Sequence, residues 1–144
     1  MSTDKVIFSH SEAETEALGR ELGAALDRGT VVLLYGDLGA GKTVFSRGFA
    51  RGLGIEEELS SPTYTIVQEY DLPERGRLYH LDLYRISGVG AALDFGIDEF
   101  LSDRHSLALI EWPERIAGMI PEDAVRVEIA HRGENEREIH IHRP

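Results

Sequence analysis

The octapeptide Gly36-Asp37-Leu38-Gly39-Ala40-Gly41-Lys42-Thr43, of the form G-x-x-x-x-G-K-[ST], constrains this chain more than any other feature. Before it, Thr30-Val31-Val32-Leu33-Leu34-Tyr35 is β-branched and apolar on both faces, as a strand buried in a parallel sheet must be. After it, Val44 to Leu53 carries Phe45, Phe49 and Leu53 on one stripe and stops at Gly54, the pattern of an amphipathic helix. A strand, a glycine-rich turn and a helix in succession make an anion nest, because glycines let consecutive backbone N–H groups turn inward and the helix N-terminus adds partial positive charge. By chance the eight-residue pattern arises in a chain of this length on the order of half a per cent of the time.

The rest of the chain supplies the partners of that unit. Ser11-Glu12-Ala13-Glu14 has the form of a capping box and opens a helix marked by Leu18, Leu22, Ala25 and Leu26, with Gly29 as its expected stop. Thr65 to Tyr70 and Arg77 to Leu83 read as a β-hairpin around the turn-like Asp71 to Gly76. Gly88 to Asp103 is ambiguous, with short helical patterns at Ala91 to Phe95 and Ile97 to Leu101. Ser106 to Glu111 is a second buried strand, halted by Trp112-Pro113. Two alternating strands, Ala124 to Ala130 and Glu138 to His142, form a terminal hairpin. The expected fold is therefore α/β: one P-loop NTPase domain over residues 1–144, in three layers, with a mixed parallel and antiparallel central sheet flanked by helices.

Composition removes several classes of chemistry. With Cys 0, structural disulfides, thiolate zinc sites, iron-sulfur clusters and a cysteine nucleophile are excluded. Lys+Arg 15 against Asp+Glu 26 leaves a net charge of -11, which repels a phosphate backbone and argues against bulk nucleic-acid binding. Only Lys5 and Lys42 are lysines. The Met1 to Lys5 start is followed by no apolar leader and no stretch reaches membrane-spanning length, so a cytoplasmic protein, monomeric when alone, is expected.

The loop binds a triphosphate: Lys42 is expected to reach the β- and γ-phosphates, and the Thr43 hydroxyl to hold Mg²⁺. Hydrolysis or transfer also needs a carboxylate to fix the metal and the attacking group. Glu111 ends the apolar run Leu107 to Ile110, the placement of a Walker-B acid, although strand-end carboxylates entering solvent are common. Asp82 is the second candidate, sharing one face with Leu78, His80 and Tyr84, an alternation that a solvated polar face explains equally well. Thr63, in Ser60-Ser61-Pro62-Thr63, is placed as a switch threonine that meets metal and γ-phosphate when a loop closes, or else as a turn residue. His140, His142 and His131 raise a metal site that an edge-strand polar face explains more cheaply. Arg137 is a candidate nucleotide contact or a surface ion-pair partner.

Taken in order, the P-loop, Ser61-Pro62-Thr63-Tyr64-Thr65, His80-Leu81-Asp82-Leu83-Tyr84-Arg85 and Glu111-Trp112-Pro113 closely resemble the TsaE (YjeE) family, over roughly Val31 to Arg115. The resemblance implies a small bacterial ATPase that works with TsaD and TsaB in making N6-threonylcarbamoyladenosine at position 37 of ANN-reading tRNAs, with tRNA met only through the complex. It also implies functional roles for Lys42, Thr43, Asp82 and Glu111. Other readings stay open: a small-molecule or nucleotide kinase, for which 144 residues leave little room for a lid, and a nucleotide-sensing adaptor without turnover. A switch GTPase lacks its D-x-x-G and N-K-x-D signals, which favours ATP.

Overall fold

The computed structural model describes residues 3–37, 39–59 and 66–144. In chain order the elements are β1 (Thr3–Ser9), α1 (Glu12–Ala25), β2 (Val31–Tyr35), α2 (Lys42–Gly52), β3 (Val67–Asp71), β4 (Arg77–Asp82), α3 (Val89–Asp94), α4 (Ile97–Leu101) and β5 (Leu107–Glu111). A 3-10 segment (Pro113–Met119), β6 (Val125–His131) and β7 (Arg137–Arg143) complete it. The strands make one seven-stranded sheet in the order β1-β7-β6-β2-β5-β4-β3. Its centre is parallel: β2 lies between β6 and β5, and β4 runs alongside β5. Antiparallel pairs flank it, β3 on β4 at one edge and β7 then β1 beyond β6 at the other.

Both sheet faces carry a core, which makes three layers. Val32, Leu34, Leu78, Leu109, Val127 and Ile139 face α1 and α2, where Leu22, Phe45 and Phe49 close the cluster. On the other side Leu33, Leu81 and Ile110 pack with Ala92 of α3, Ile97 of α4 and Ile116 of the 3-10 segment. This is the mixed-sheet sandwich expected from the sequence. Among the described residues, no helix is long and apolar enough to cross a membrane.

Helix α1 starts as its capping box demands: Ser11 Oγ accepts the Glu14 N–H at 3.1 Å. Glu14 returns the bond one residue early, accepting from the His10 N–H at 3.0 Å. The expected stop at Gly29 is corrected: α1 ends at Ala25 with Leu26 extended, and Gly29 sits in the turn into β2, its N–H on Ser106 O at 2.7 Å. At the end of α2 the glycine reading holds, since Gly54 adopts φ 89°. There the Ile55 and Gly54 N–H groups take the carbonyls of Ala50 and Arg51, which closes a Schellman motif. Where α1 crosses α2, a Cβ on Gly19, Gly23, Gly48 or Gly52 would overlap a backbone oxygen of the facing helix. The two backbones therefore touch directly.

Val6-Ile7-Phe8 lie in the edge strand β1, with Ile7 turned toward the α1 side and Val6 and Phe8 exposed. The hairpin reads correctly, with Gln68 opposite His80 and Tyr70 opposite Leu78, although Thr65 lies outside the described residues. The ambiguous stretch resolves into the two short helices α3 and α4.

Candidate functional site

Parallel pairing puts the ends of three strands side by side. Leu34 of β2 pairs with Glu111 of β5, and Glu111 pairs with Asp82 of β4. The phosphate-binding loop leaves β2 at the same edge, so a motif and two carboxylates scattered over 76 positions of sequence meet at the carboxyl end of the sheet, where α/β proteins bind ligands.

Left-handed backbone at Gly39 (φ 78°) and Gly41 (φ 106°) shapes the loop, and Gly41 serves as the N-cap of α2. Side chains rarely adopt such values, so the glycines are required there. Helix α2 then begins at Lys42, two residues before the expected Val44, so Lys42 and Thr43 stand in its first turn. A cleft of about 410 Å³ is lined by Lys42, Thr43, Asp82, Glu111, Trp112 and Arg137, among others. A larger depression of about 760 Å³ holds Gly36, Asp37 and Ala40 on the other side of the loop, but lacks Lys42, Thr43 and both carboxylates. The smaller one gathers Lys42, Thr43, Asp82 and Glu111. Leu38 and Thr63 lie outside the described residues.

Within the cleft each side chain has a defined neighbour. Lys42 is buried, with its Nζ 4.4 Å from the centroid of the Trp112 ring. Trp112 itself occupies left-handed backbone (φ 58°, ψ 48°), at a cost of about 1–2 kcal/mol for an L residue. Its ring meets Tyr84 edge-on at 5.0 Å. Asp82 Oδ1 accepts the Tyr84 N–H at 3.0 Å. Glu111 Oε2 lies 2.7 Å from His80 Nε2. Among the described residues Arg137 makes no ion pair of the kind considered from sequence. Its Nε donates to Ala40 O at 2.8 Å, which ties β7 to the phosphate-binding loop across 97 positions.

Sequence reasoning missed seven lining residues of this cleft, Glu12, Val44 and Trp112 among them. Ser11 and Thr15 enter from α1, and Glu134 and Asn135 from the turn between β6 and β7. Ser11 was legible only as a helix cap, and no local signal distinguishes Asn135 from an ordinary turn residue. The histidine metal site finds no support: His140 Nε2 bonds Glu138 Oε2 at 2.6 Å and His142 Nδ1 bonds Asp4 Oδ1. Among the described residues no trio of His, Asp or Glu side chains could hold a metal by itself. Among the oxygen donors lining the cleft, the Thr43 hydroxyl and the Asp82 and Glu111 carboxylates are hard ligands of the kind Mg²⁺ takes together with phosphate oxygens.

Residues 9–139 match the family model described as threonylcarbamoyl adenosine biosynthesis protein TsaE. The chain belongs to the TsaE family. It is 41% identical over 129 residues to the tRNA threonylcarbamoyladenosine biosynthesis protein TsaE of Bacillus subtilis (strain 168), covering 88% of this chain and 77% of that one. To the TsaE of Treponema pallidum (strain Nichols) it is 39% identical over 133 residues, 92% of this chain and 96% of the relative. The fold is similar to the crystal structure of Bacillus subtilis YdiB, with a TM-score of 0.79 and 33% identity over 99% of this chain and 87% of that one. TsaE membership accords with the resemblance carried by the four motifs.

Proposed function

We propose that the chain is a Mg²⁺-dependent ATPase subunit that works with TsaD and TsaB in forming N6-threonylcarbamoyladenosine on tRNA, ATP hydrolysis driving or resetting the cycle. The observation that carries this reading is the convergence of Lys42, Thr43, Asp82 and Glu111 on one cleft at the end of the parallel sheet. Lys42 neutralises charge on the β- and γ-phosphates, and the loop N–H groups cradle them. Thr43 and Glu111 would hold the metal, which would supply charge neutralisation across the phosphates. Asp82 would orient the attacking water or a water beside the metal, and water attacks the γ-phosphate in line, releasing ADP and phosphate. Arg137 steadies the loop through Ala40 O and lines the same cleft as a nucleotide contact.

Relatives named as tRNA threonylcarbamoyladenosine biosynthesis proteins support the pathway, and the charge of -11 suits docking on protein partners better than direct tRNA binding. The deciding experiment measures phosphate release from ATP and GTP by the pure protein, alone and with TsaD, TsaB and tRNA. Slow ATP turnover that rises with the partners is expected. Transfer of phosphate to an acceptor would make the protein a kinase, and binding without turnover would make it an adaptor.

A further inference from the structure

His80 takes no part in the hydrolysis described above, although it stands two residues from Asp82 on the same face of β4. Its side chain is 3% exposed and its Nε2 lies 2.7 Å from Glu111 Oε2. An ionised carboxylate only accepts hydrogen bonds, so Nε2 is the donor and carries the proton. The other ring nitrogen, Nδ1, is buried with no hydrogen-bond partner among the described residues. A histidine kept only for packing would satisfy both nitrogens or give way to an apolar residue of similar size, because a buried polar atom without a partner destabilises the fold. Among the described residues, this one satisfies only the nitrogen that addresses Glu111. The energetic penalty on Nδ1 is accepted at the one place where a donor is needed beside a functional carboxylate.

We propose that His80 is a positioning residue for Glu111. It engages one carboxylate oxygen and fixes the rotamer, leaving the other oxygen to the metal. The inference rests on the reading of Glu111 as a metal-holding group. Hydrogen bonds that orient a ligand from behind typically contribute about 10–100-fold in metal affinity.

The test loads the intact protein with a non-hydrolysable ATP analogue and titrates Mn²⁺, following free ion by electron paramagnetic resonance. His80→Leu is expected to weaken Mn²⁺ binding by about 10–100-fold, with analogue affinity in the absence of divalent ions unchanged. His80→Gln, whose amide N–H can still reach Glu111, is expected to recover most of that loss. Glu111→Gln is measured in parallel. If it weakens Mn²⁺ binding while His80→Leu does not, or if His80→Gln recovers nothing, the positioning role is overturned and the reading of Glu111 stands. If Glu111→Gln leaves Mn²⁺ affinity unchanged, that reading fails and the role of His80 falls with it. Should His80→Leu not fold, nitrogen-15 spectra of the histidine-labelled wild type decide, with His80→Gln assigning the signal by its loss. A proton on Nε2 whose resonance moves when Mg²⁺ joins the bound nucleotide supports the proposal. A proton on Nδ1, or a signal indifferent to Mg²⁺, overturns it.

Discussion

The Lys42 ammonium rests 4.4 Å from the centre of the Trp112 ring, so the cation proposed to serve phosphate is held by an aromatic face contributed by another strand end. A cation over tryptophan gains about 0.5–2 kcal/mol, and that contact must be exchanged for the phosphates when nucleotide enters. Trp112 is also the single tryptophan of the chain. Adding Mg-ATP should therefore change the intrinsic fluorescence, and Lys42→Ala should lose both the change and most of the affinity in calorimetry. Unaltered Mg-ATP affinity and hydrolysis in Lys42→Ala would remove the P-loop reading.

The two carboxylates should separate binding from chemistry. Glu111→Gln and Asp82→Asn each remove charge from the metal or water rather than from the phosphate cradle. Turnover with the partner proteins should fall on the order of 10²-fold or more, with nucleotide affinity little changed. Wild-type rates in both variants would move the chemistry elsewhere in the molecule.

Contact between α1 and α2 makes a stability prediction. A Cβ at Gly48 would overlap Glu16 O, a backbone atom that cannot rotate away. Gly48→Ala should lose about 1–3 kcal/mol or more in urea denaturation. Gly90, in α3, has nothing within 4 Å of its would-be Cβ, so Gly90→Ala should be neutral or slightly stabilising. Equal behaviour of the two would mean that the helices do not meet as described.

Asp103 links stability to pH. Tyr79 Oη and Ser106 Oγ each donate to its Oδ2 at 2.7 Å, and the His105 N–H donates to Oδ1 at 3.0 Å. The Tyr79 bond, then those of Ser106 and His105, holds this carboxyl below its ordinary value of 3.8. A lowered folded pKa means the stabilisation is complete above 3.8 and is lost as pH falls from there through the folded value. Asp103→Asn should thus lower the melting temperature at neutral pH, with the gap narrowing on acidification below 3.8. A gap independent of pH would show that the charge of Asp103 contributes nothing.

What was legible in the sequence was mostly what is local. Strand β2, the glycine loop and α2 announce themselves because periodicity and turn chemistry act over a few residues, and the hairpin carrying Asp82 follows from the same signals. The pairing of Glu111 with both Leu34 and Asp82 depends on strand order, which no single segment encodes. The bond from Arg137 to Ala40 O spans 97 positions, so only the folded sheet distinguishes it from a surface ion pair. Strand β1 escaped notice because an edge strand with Val6 and Phe8 exposed lacks the alternation of a half-buried one. Gly29 misled for a related reason: a glycine near a helix end is ambiguous between the cap and the next turn, and here contacts with the β5 side decide.

The seam of Gly19, Gly23, Gly48 and Gly52 also bears on how the molecule comes together. Each glycine weakens a helix by about 1 kcal/mol relative to alanine, so α1 and α2 are both poor helices on their own and gain their order by docking. The first turn of α2 carries Lys42 and Thr43. An excised strand-loop-helix peptide is therefore expected to lose much of the helix whose N-terminus the proposed phosphate site uses. On the proposed reading, the loop can hold nucleotide only where the two weak helices are docked on each other.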